Sequence, residues 1–583
     1  VYNQDNSSQV EKYNSSNQLM GTDGLSDIST IYATPNDDIL FASKNGYSAL
    51  YGAEGNDQLF GGGASPQFVN GLYRTSFLSG GDGNDIFVGG FGPDSINGGY
   101  GDDTILFPNT NLISRGYNSR GDFRSDSYQG AWGTDTLDFS DSDTGWNLYL
   151  RYSGNTGGNI NTVFSYQLRQ VRSADIDVSD RQQFVQQEFQ ALALDVAQES
   201  WLGGATVDKF EIIKGSRSSD IIGFGDYWKI NQGNGGIKGP NDDVVVYGNG
   251  GDDVLMGFST GGTAYGGDGN DILGTYNALF QVRSGGALGE GGVDYESYRL
   301  GVITYLNGDA GNDYFIAGDA QEHFDGGVGV DTLSYERGNA FLTGEGAAPK
   351  NSFYRTGPFG VEVNLATGTA DSGFARGDKI SNIENVIGTE IDDQIIGDAN
   401  ANELVGWGGN DELIGGGGND SLYGNEGDDT LVGGSGDDVL HGGSGTDSFD
   451  GGEGIDTVSW AQYQEHPQDE NLLVNDNAGV AVNLNIGLAG SETLISVENL
   501  TGGIGDDIFL GNSISNILIG NGGNDELIGG GGNDVLLGGA GNDILVGGAG
   551  SDTLSGGSGS NTLDGGDGID IVNYSDHKIE TSI

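Results

Sequence analysis

The chain has 583 residues, of which 111 are glycine, 85 are aspartate or glutamate and only 23 are lysine or arginine, for a formal charge of −62. So acidic a surface would repel nucleic acid and anionic membranes and attract cations. The chain has no cysteine, which excludes disulfides, and it has no apolar run long enough to span a bilayer. Residues 1–35 form a polar segment without an initiating Met or an apolar signal region, as expected of a processed or trimmed end.

Residues 36–134 carry imperfect copies of a nine-residue pattern, G-G-x-G-x-D-x-U-x, in which U is apolar. The segments GAEGND, GGDGND, GGFGPD and GGYGDD end at Asp57, Asp85, Asp94 and Asp103. Glycines at positions one, two and four tolerate backbone angles that a Cβ disfavours, so the first six residues predict a turn. The D-x-U stretch predicts a short strand with its apolar side chain pointing inward, because side chains alternate faces along a strand.

Residues 135–214 are different, because they combine short strand-like segments with an insertion. Within the insertion, Val185, Phe189, Leu192 and Val196 recur at helical spacing, which predicts a helix over about residues 180–202. We expect this helix to pack on its own part of the chain. The alternative is a docking element for a partner subunit.

Residues 215–330 return to the degenerate pattern, with Asp253 and Asp271 two repeats apart and, later, Asp313 and Asp331 two repeats apart. The segment GFSTG at residues 257–261 resembles the G-x-S-x-G elbow of hydrolases, which requires a strand before it and a helix after it. Here it lies in a glycine-rich gap between repeats, so we interpret it as a chance match.

A second unit occurs between the repeat arrays, at residues 331–387 and again at 457–501. The first copy contains GVEVNLATG and ISNIENVIG, and the second contains GVAVNLNIG and LISVENLTG in the same order. The alternation in V-x-V-N-L predicts a strand with one buried face. We interpret these units as short β linkers that join one repeat array to the next.

The pattern is most regular in residues 388–456 and 502–575. Asn516 and Asn561 replace the aspartate at two steps of the second array. The sixth position is otherwise occupied by Asp393, Asp411, Asp420, Asp429, Asp438, Asp447 and Asp456, and then by Asp507, Asp525, Asp534, Asp543, Asp552 and Asp570.

The pattern predicts that two nonapeptides make one coil and that successive coils stack at about 4.8 Å, the ordinary strand spacing. Aspartates of neighbouring coils would then lie side by side, and two such charges at about 4 Å repel by about 4 kcal/mol at an effective dielectric near 20. A cation between them is required. Ca²⁺ accepts six to eight oxygens in loose geometry, whereas zinc and copper favour the Cys and His ligands that this chain almost lacks.

These repeats resemble the RTX (repeats-in-toxin), or hemolysin-type, family of calcium-binding proteins. The resemblance implies a parallel β-roll in which each Ca²⁺ is held by sixth-position carboxylates and by glycine carbonyls from turns on the same side. By this resemblance Asp420 shares an ion with Asp438, and Asp525 shares one with Asp543. It also implies carbonyl ligands from the loop glycines Gly416, Gly418, Gly434, Gly436, Gly530, Gly532, Gly539, Gly541, Gly548 and Gly550.

The predicted fold is therefore all-β: tandem parallel β-rolls joined by short β linker units, with one short helical insertion. The predicted segments are an N-terminal segment (1–35), a degenerate roll (36–134), a linker with the insertion (135–214), a second degenerate roll (215–330), a linker (331–387), a roll (388–456), a linker (457–501), a roll (502–575) and a tail (576–583).

We do not expect an enzyme, because the four histidines are scattered and no non-repetitive region is long enough for a catalytic domain. We expect His441, at a variable repeat position, to be exposed. The sequence favours a secreted structural protein of the bacterial cell surface, such as a surface layer, sheath or fibril, and the expected partners are calcium ions, further copies of itself and a cell-surface glycan. The alternatives are an adhesin or a processed repeat region of a larger secreted enzyme or toxin. RTX relatives are exported through a C-terminal signal, and the short tail after Tyr574 leaves the export route open.

Overall fold

The computed structural model describes residues 8–13, 19–25, 30–33, 35–41, 48–60, 76–88, 94–106, 127–132, 135–138, 140, 145–151, 164–166, 169–171, 205–208, 212–214, 221–225, 245–251, 253–256, 262–274, 303–318, 321–335, 360–372, 375–461 and 479–574. Every regular element among these residues is a β-strand. None of them forms a helix with the length and hydropathy of a membrane span. The helix predicted over residues 180–202 lies outside the described residues.

The chain divides into two units, residues 1–329 and 330–583. The strands of the first unit are β1 (Ser8–Tyr13), β2 (Leu19–Leu25), β3 (Thr30–Tyr32), β4 (Ile39–Phe41), β5 (Ser48–Glu54), β6 (Gln58–Phe60), β7 (Ser76–Asp82), β8 (Ile86–Val88), β9 (Asp94–Tyr100), β10 (Thr104–Leu106), β11 (Ser127–Trp132), β12 (Thr136–Asp138), β13 (Gly145–Arg151), β14 (Phe164–Tyr166), β15 (Arg169–Val171), β16 (Ala205–Asp208), β17 (Ile212–Lys214), β18 (Ile221–Gly225), β19 (Val245–Gly250), β20 (Val254–Met256), β21 (Gly262–Asp268), β22 (Ile272–Gly274), β23 (Ile303–Ala310), β24 (Tyr314–Ile316) and β25 (Gln321–Asp325).

The strands of the second unit are β26 (Thr332–Ser334), β27 (Glu362–Asn364), β28 (Thr369–Asp371), β29 (Lys379–Ser381), β30 (Asn385–Ile387), β31 (Gln394–Ile396), β32 (Glu403–Gly408), β33 (Glu412–Gly417), β34 (Ser421–Glu426), β35 (Thr430–Ser435), β36 (Val439–Ser444), β37 (Ser448–Glu453), β38 (Thr457–Ser459), β39 (Ala481–Asn483), β40 (Leu488–Ala489), β41 (Glu492–Ile495), β42 (Asn499–Thr501), β43 (Ile508–Leu510), β44 (Ile517–Ile519), β45 (Glu526–Gly531), β46 (Val535–Leu537), β47 (Ile544–Gly550), β48 (Thr553–Ser555), β49 (Thr562–Gly568) and β50 (Ile571–Val572).

In the second unit alternate strands belong to two parallel sheets. Strand β33 pairs with β35 and β35 with β37, whereas β32 pairs with β34 and β34 with β36, each in parallel register and eighteen residues apart. One coil therefore consists of two nonapeptides, as the repeat pattern predicts. The first unit contains the same arrangement, as in the parallel series β5, β7 and β9 and the parallel series β19, β21 and β23.

The core lies between the two sheets and is built from the U residues of the repeats. Leu413, Leu431 and Phe449 form one buried column, and Leu422 and Leu440 belong to the opposing column. All five side chains are completely inaccessible to solvent. Because each coil adds the same apolar layer, the turns that connect the strands are stacked along both edges of the solenoid.

The linkers are part of the sheet rather than separate segments. In the second linker β39 and β40 pair antiparallel, as do β40 and β41, while β41 pairs in parallel with β37 and β39 in parallel with β43. Two antiparallel strands thus enter a parallel sheet between one roll and the next. Val363 and Val482 of the V-x-V-N-L segments are buried, so the predicted strand with one buried face is confirmed.

Candidate calcium sites

The sixth-position aspartates form two hydrogen-bonded ladders, one along each edge of the second unit. The backbone N–H of Asp411 donates to Oδ1 of Asp429 at 2.8 Å, and that of Asp429 donates to Oδ1 of Asp447 at 2.9 Å. On the other edge the N–H of Asp420 donates to Oδ1 of Asp438 at 2.8 Å. Each step covers eighteen residues, which is one coil. One carboxylate oxygen of each aspartate therefore holds neighbouring turns in register.

The second carboxylate oxygen, Oδ2, is buried in these ladders. Such an atom is costly to bury without a partner, so its environment indicates a ligand that the polypeptide itself does not supply. Within the described residues, no hydrogen-bond donor reaches Oδ2 of Asp57, Asp85, Asp103, Asp411, Asp420, Asp429, Asp438, Asp447, Asp456, Asp525, Asp534, Asp543 or Asp552.

The first glycine of each turn leaves space for this oxygen. A Cβ placed on Gly415 would lie 2.6 Å from the carbonyl oxygen of Gly433 and would also collide with Oδ2 of Asp420. The same arrangement recurs at Gly529, where the carbonyl oxygen of Gly547 is again 2.6 Å away. A carboxylate oxygen of one coil and a carbonyl oxygen of the next thus converge on a point that only glycine leaves open. We call this point the glycine cradle.

The second and fourth glycines serve a different purpose. All ten loop glycines predicted as carbonyl ligands have positive φ, for example 104° at Gly416 and 106° at Gly418. A Cβ on Gly434 or Gly436 would collide with the carbonyl oxygen of Gly416 or Gly418, respectively. The carbonyls of one turn therefore face the next turn. Their role as calcium ligands stays a prediction.

The donor set fits calcium. The oxygens that converge at each cradle are a carboxylate and a main-chain carbonyl, which are hard ligands of the kind that Ca²⁺ accepts in sets of six to eight. Across the described residues no three His, Asp or Glu side chains come together as a metal site. Main-chain carbonyls would therefore have to complete the coordination, as the cradles allow.

Burial strongly raises the pKa of these carboxylates. It raises the pKa of Asp411 to about 8 and that of Asp429 to about 7, and the charges of neighbouring aspartates raise both further, although a backbone N–H opposes the shift. In the degenerate first unit, burial raises the pKa of Asp103 to about 8. In the last array the pKa of Asp534 rises to about 6 for the same reason. A bound cation would reverse these shifts, because it stabilises the charged form.

The structure places almost all of the predicted aspartates in equivalent buried positions. The exceptions are Asp94, which begins β9 but whose side chain lies outside the described part of the chain, and Asp570, which is half-buried in the last described coil. Buried positions hold Asp57, Asp85, Asp103, Asp253, Asp271, Asp313, Asp331, Asp393, Asp411, Asp420, Asp429, Asp438, Asp447, Asp456, Asp507, Asp525, Asp534, Asp543 and Asp552.

Asp393 and Asp507, the first aspartates of the two regular arrays, fit a cation least. Oδ1 of Asp393 accepts a hydrogen bond from the N–H of Val361 and Oδ2 accepts one from the N–H of Thr389, both at 2.6 Å. Asp507 is held in the same way, with Val480 donating to Oδ1 at 2.7 Å. Both carboxylates are thus bonded to the linkers. Their assignment as metal ligands stays a prediction with less support than the others.

Sequence reasoning did not identify several residues of the ladders. Asp135 accepts a hydrogen bond from the N–H of Asp103 at 2.9 Å across 32 residues, and only its D-T-L context resembles a repeat. Asn402, likewise not identified, occupies the sixth position at the start of the first regular array, as Asn516, which the repeat pattern does identify, occupies it in the second. Their Nδ2 groups donate to the carbonyls of Glu384 and Glu498 at 2.8 and 2.7 Å. An amide thereby replaces carboxylate and cation at these steps.

The expectation that His441 is exposed was wrong. Its ring stacks on that of Tyr423, with centroids 4.6 Å apart and planes 12° from parallel. Burial lowers the pKa of His441 to about 4. The ninth repeat positions of neighbouring coils lie directly above one another, so a variable position is covered by the side chain of the next coil.

The fold and its ladders of buried carboxylates define a calcium-binding β-solenoid. The family model of the RTX calcium-binding nonapeptide repeat matches residues 32–65, 79–107, 237–257, 304–333, 387–422, 423–458, 501–536, 510–545 and 537–572. These segments are RTX calcium-binding nonapeptide repeats, and such repeats bind multiple Ca²⁺ ions. A search of curated proteins found no match.

Proposed function

We propose that this protein is a secreted, calcium-dependent structural protein of the bacterial cell surface, which folds when it binds Ca²⁺ and assembles with copies of itself into a layer, sheath or fibril. The observation that carries the proposal is the ladder of buried Oδ2 atoms, such as those of Asp420 and Asp438, that have no donor in the described residues. A solenoid built on such atoms depends on its ions for stability.

Folding and calcium binding form one event in this proposal. Without cations, each coil adds two buried carboxylates beside those of the previous coil, and their repulsion opposes the burial of the apolar column. With cations, the same oxygens become ligands, and the binding free energy contributes directly to folding. The chain is therefore expected to be expanded in chelator and compact in calcium.

Secretion is proposed because the calcium concentration that such repeats need is found outside the cell and not in the cytosol. Extracellular calcium modules typically bind with dissociation constants of about 10⁻⁴–10⁻³ M, far above cytosolic free calcium. The protein would remain unfolded inside the cell and fold outside, where calcium is plentiful. RTX repeat proteins are typically secreted, which supports the proposal.

Self-assembly is supported by the surface of the second linker and the last roll. Ile486, Ile495 and Ile504 are each more than half exposed in the described part of the chain. Exposed aliphatic side chains on a rigid repeat scaffold are suited to contacts between subunits. We propose no catalytic activity, because repeats and linkers fill most of the sequence.

Electron microscopy of the purified protein with millimolar Ca²⁺ and with chelator tests this proposal. Ordered sheets or filaments in calcium, and disordered monomers by circular dichroism and small-angle scattering in chelator, are expected. A compact protein that stays monomeric in calcium at high concentration would contradict self-assembly and favour an adhesin or a processed region of a larger secreted enzyme or toxin. An unchanged fold in chelator would contradict calcium-dependent folding.

A further inference from the structure

In the ladder that contains Asp411, Asp429 and Asp447, Asp447 is the last aspartate that a nonapeptide repeat contributes. At the preceding turn, a Cβ on Gly424 would meet Oδ2 of Asp429 and, at 2.7 Å, the carbonyl oxygen of Gly442 from the next coil. At Gly442 the atoms closest to the corresponding point are those of Asp447 and, at 2.7 Å, the ring of Phe449. The earlier cradles are completed by a glycine carbonyl oxygen from the next repeat coil. The repeat array ends here, so the next coil at this cradle has to come from the linker.

The second linker supplies the next coil at this position. In the repeats, the amide that follows a sixth-position aspartate donates to the carbonyl of the aspartate one coil earlier, as Ser448 does to Asp429 at 2.8 Å. The amide of Thr493 donates to the carbonyl of Asp447 in the same way, at 3.2 Å. Ser448 and Thr493 are also register partners in the pairing of β37 with β41. Glu492, which precedes Thr493, thus occupies the place of a sixth-position aspartate.

The Glu492 side chain has the features of the repeat carboxylates. The indole N–H of Trp460 donates to its carboxylate, while Oε2 is buried and receives no hydrogen bond within the described residues. The carboxylate of Asp447 is almost completely buried, and its Oδ2 is likewise without a donor there. Burial, and then the charge of Asp447, raise the pKa of Glu492 to about 7. Two buried carboxylate oxygens without a donor in the described residues therefore belong to neighbouring positions of one ladder, since the residues that follow Asp447 and Glu492 are register partners.

We propose that Asp447 and Glu492 hold a further Ca²⁺ ion at the junction between the roll and the second linker, with Glu492 replacing the aspartate that the repeat pattern lacks there. This inference rests on the proposed binding of calcium by the aspartate ladders. It extends the binding set beyond the nonapeptides, to a residue that no repeat motif contains. The first linker has a buried carboxylate at the aligned position, Asp378, which accepts a hydrogen bond from the Tyr335 hydroxyl at 3.2 Å.

Glu492→Gln in the full-length chain tests the site, because it removes the charge while keeping the shape of the side chain. Native mass spectrometry of the calcium-saturated protein should count one ion fewer than in the wild type. The matched control is Glu526→Gln, an exposed glutamate of strand β45, which should leave the ion count unchanged. Thermal unfolding in saturating calcium should show a lower midpoint for Glu492→Gln than for wild type, whereas Glu526→Gln should keep the wild-type midpoint.

An equal ion count in Glu492→Gln and wild type, or equal unfolding midpoints of the two proteins in calcium, would overturn the inference. A wild type that binds no calcium would instead overturn the proposed function. A second measurement covers the case in which the variant does not fold. Tb³⁺ in place of Ca²⁺ should be sensitised by Trp460, and Trp460→Phe should reduce that emission; undiminished emission would also overturn the site.

Discussion

At the scale of single residues, each sixth-position aspartate divides its two oxygens between two tasks. In Asp438, Oδ1 accepts the N–H of Asp420 at 2.8 Å and so aligns the turns, while Oδ2 has no donor in the described residues. Asparagine can take over only the first task. Asn561 accepts the backbone N–H of Asp543, one coil earlier, at 2.8 Å, and its amide nitrogen donates to the carbonyl of Gly556 instead of awaiting a cation. The Asn steps therefore keep the register and omit the ion.

The second position of several turns has positive φ even where the residue is not glycine. Ala53, Asn249, Trp407 and Asn425 have φ of 92°, 78°, 81° and 76°. An L-residue pays about 1–2 kcal/mol in this region, because its Cβ crowds the carbonyl oxygen. These turns thus carry a local strain that the stacking of the coils overcomes.

Ala53→Gly should stabilise its turn by about 1 kcal/mol, because it removes one exposed methyl group and the conformational cost that it causes. The measurement is native-state hydrogen exchange in saturating calcium, read at the amides of the neighbouring coil, where a slower exchange rate reports the gain.

The control for this substitution is Ala549→Gly, at the third position of a turn, where the backbone has no positive φ. There the change should cost about 0.5–1 kcal/mol, because glycine is more flexible in the unfolded chain. If both substitutions destabilise equally, backbone strain at the second position is not the cause.

At the scale of elements, the linkers act as substitute coils that continue the ladders. The N–H of Asp456 donates to Oε2 of Glu498 at 2.9 Å, where a repeat would offer an aspartate. The adjacent Asn499 accepts the N–H of Ile517 at 2.8 Å, and its side chain also contacts Thr457. The E-N dipeptide therefore joins the last coil of one roll to the first coil of the next. The first linker repeats the arrangement, with Asp331 donating to Glu384 at 2.8 Å.

Asn499→Ala should weaken the junction by about 1 kcal/mol, because it removes the acceptor of the part-buried hydrogen bond from the N–H of Ile517. The two rolls that flank the linker should then unfold in separate transitions in a calorimetric scan with saturating calcium, whereas in the wild type they unfold together.

Asn400→Ala is the matched control, since this exposed asparagine bonds only within its own turn, to Asp398. It should leave the scan unchanged. A single cooperative transition in Asn499→Ala would show that the E-N dipeptide does not couple the rolls.

The sequence predicts the repeated parts of this structure well. A period of nine places the U residues in the core and the aspartates in the turns, because a solenoid converts a period in sequence into a column in space. It does not predict Glu492, whose partner Asp447 lies 45 residues away through a non-repetitive linker. Nor does it predict that both carboxylate oxygens of Asp393 accept hydrogen bonds from backbone N–H groups. These bonds depend on how the chain folds back at Val361 and Thr389.

At the scale of the whole molecule, the charge of −62 is organised so that much of it is buried. In the absence of calcium, burial raises the pKa of Asp411 to about 8, that of Asp57 to about 7 and that of Asp456 to about 6. Protons and calcium ions therefore compete for the same oxygens.

The calcium-free protein should become more compact as the pH falls. A carboxyl whose pKa is raised by folding stabilises the folded state fully below its unfolded pKa of 3.8, and this stabilisation is lost as the pH rises through about 6–8. Circular dichroism in chelator should show more β-structure at pH 5 than at pH 8, and calcium added at pH 5, where the buried carboxyls of the compact state are protonated, should release protons.

The pH range of the compaction distinguishes protonation of the buried aspartates from a general loss of surface charge. Exposed carboxylates titrate near pH 4, so a transition confined to pH 3–5 would contradict a role for the buried ladders. Calcium affinity should rise with pH across about pH 6–8, and an affinity independent of pH in this range would contradict it as well.

The eighteen-residue step of the ladders has a consequence for how the chain can be built. In the regular arrays, a turn finds its ladder partner a single coil away, and the linkers extend that distance only to 42 residues between Asp456 and Glu498 and 53 between Asp331 and Glu384. Loop closure over such spans is cheap, and local topologies fold fast. A polypeptide that emerges end first into calcium could therefore close coil after coil while the rest is still in transit, and each closed coil would resist backward movement.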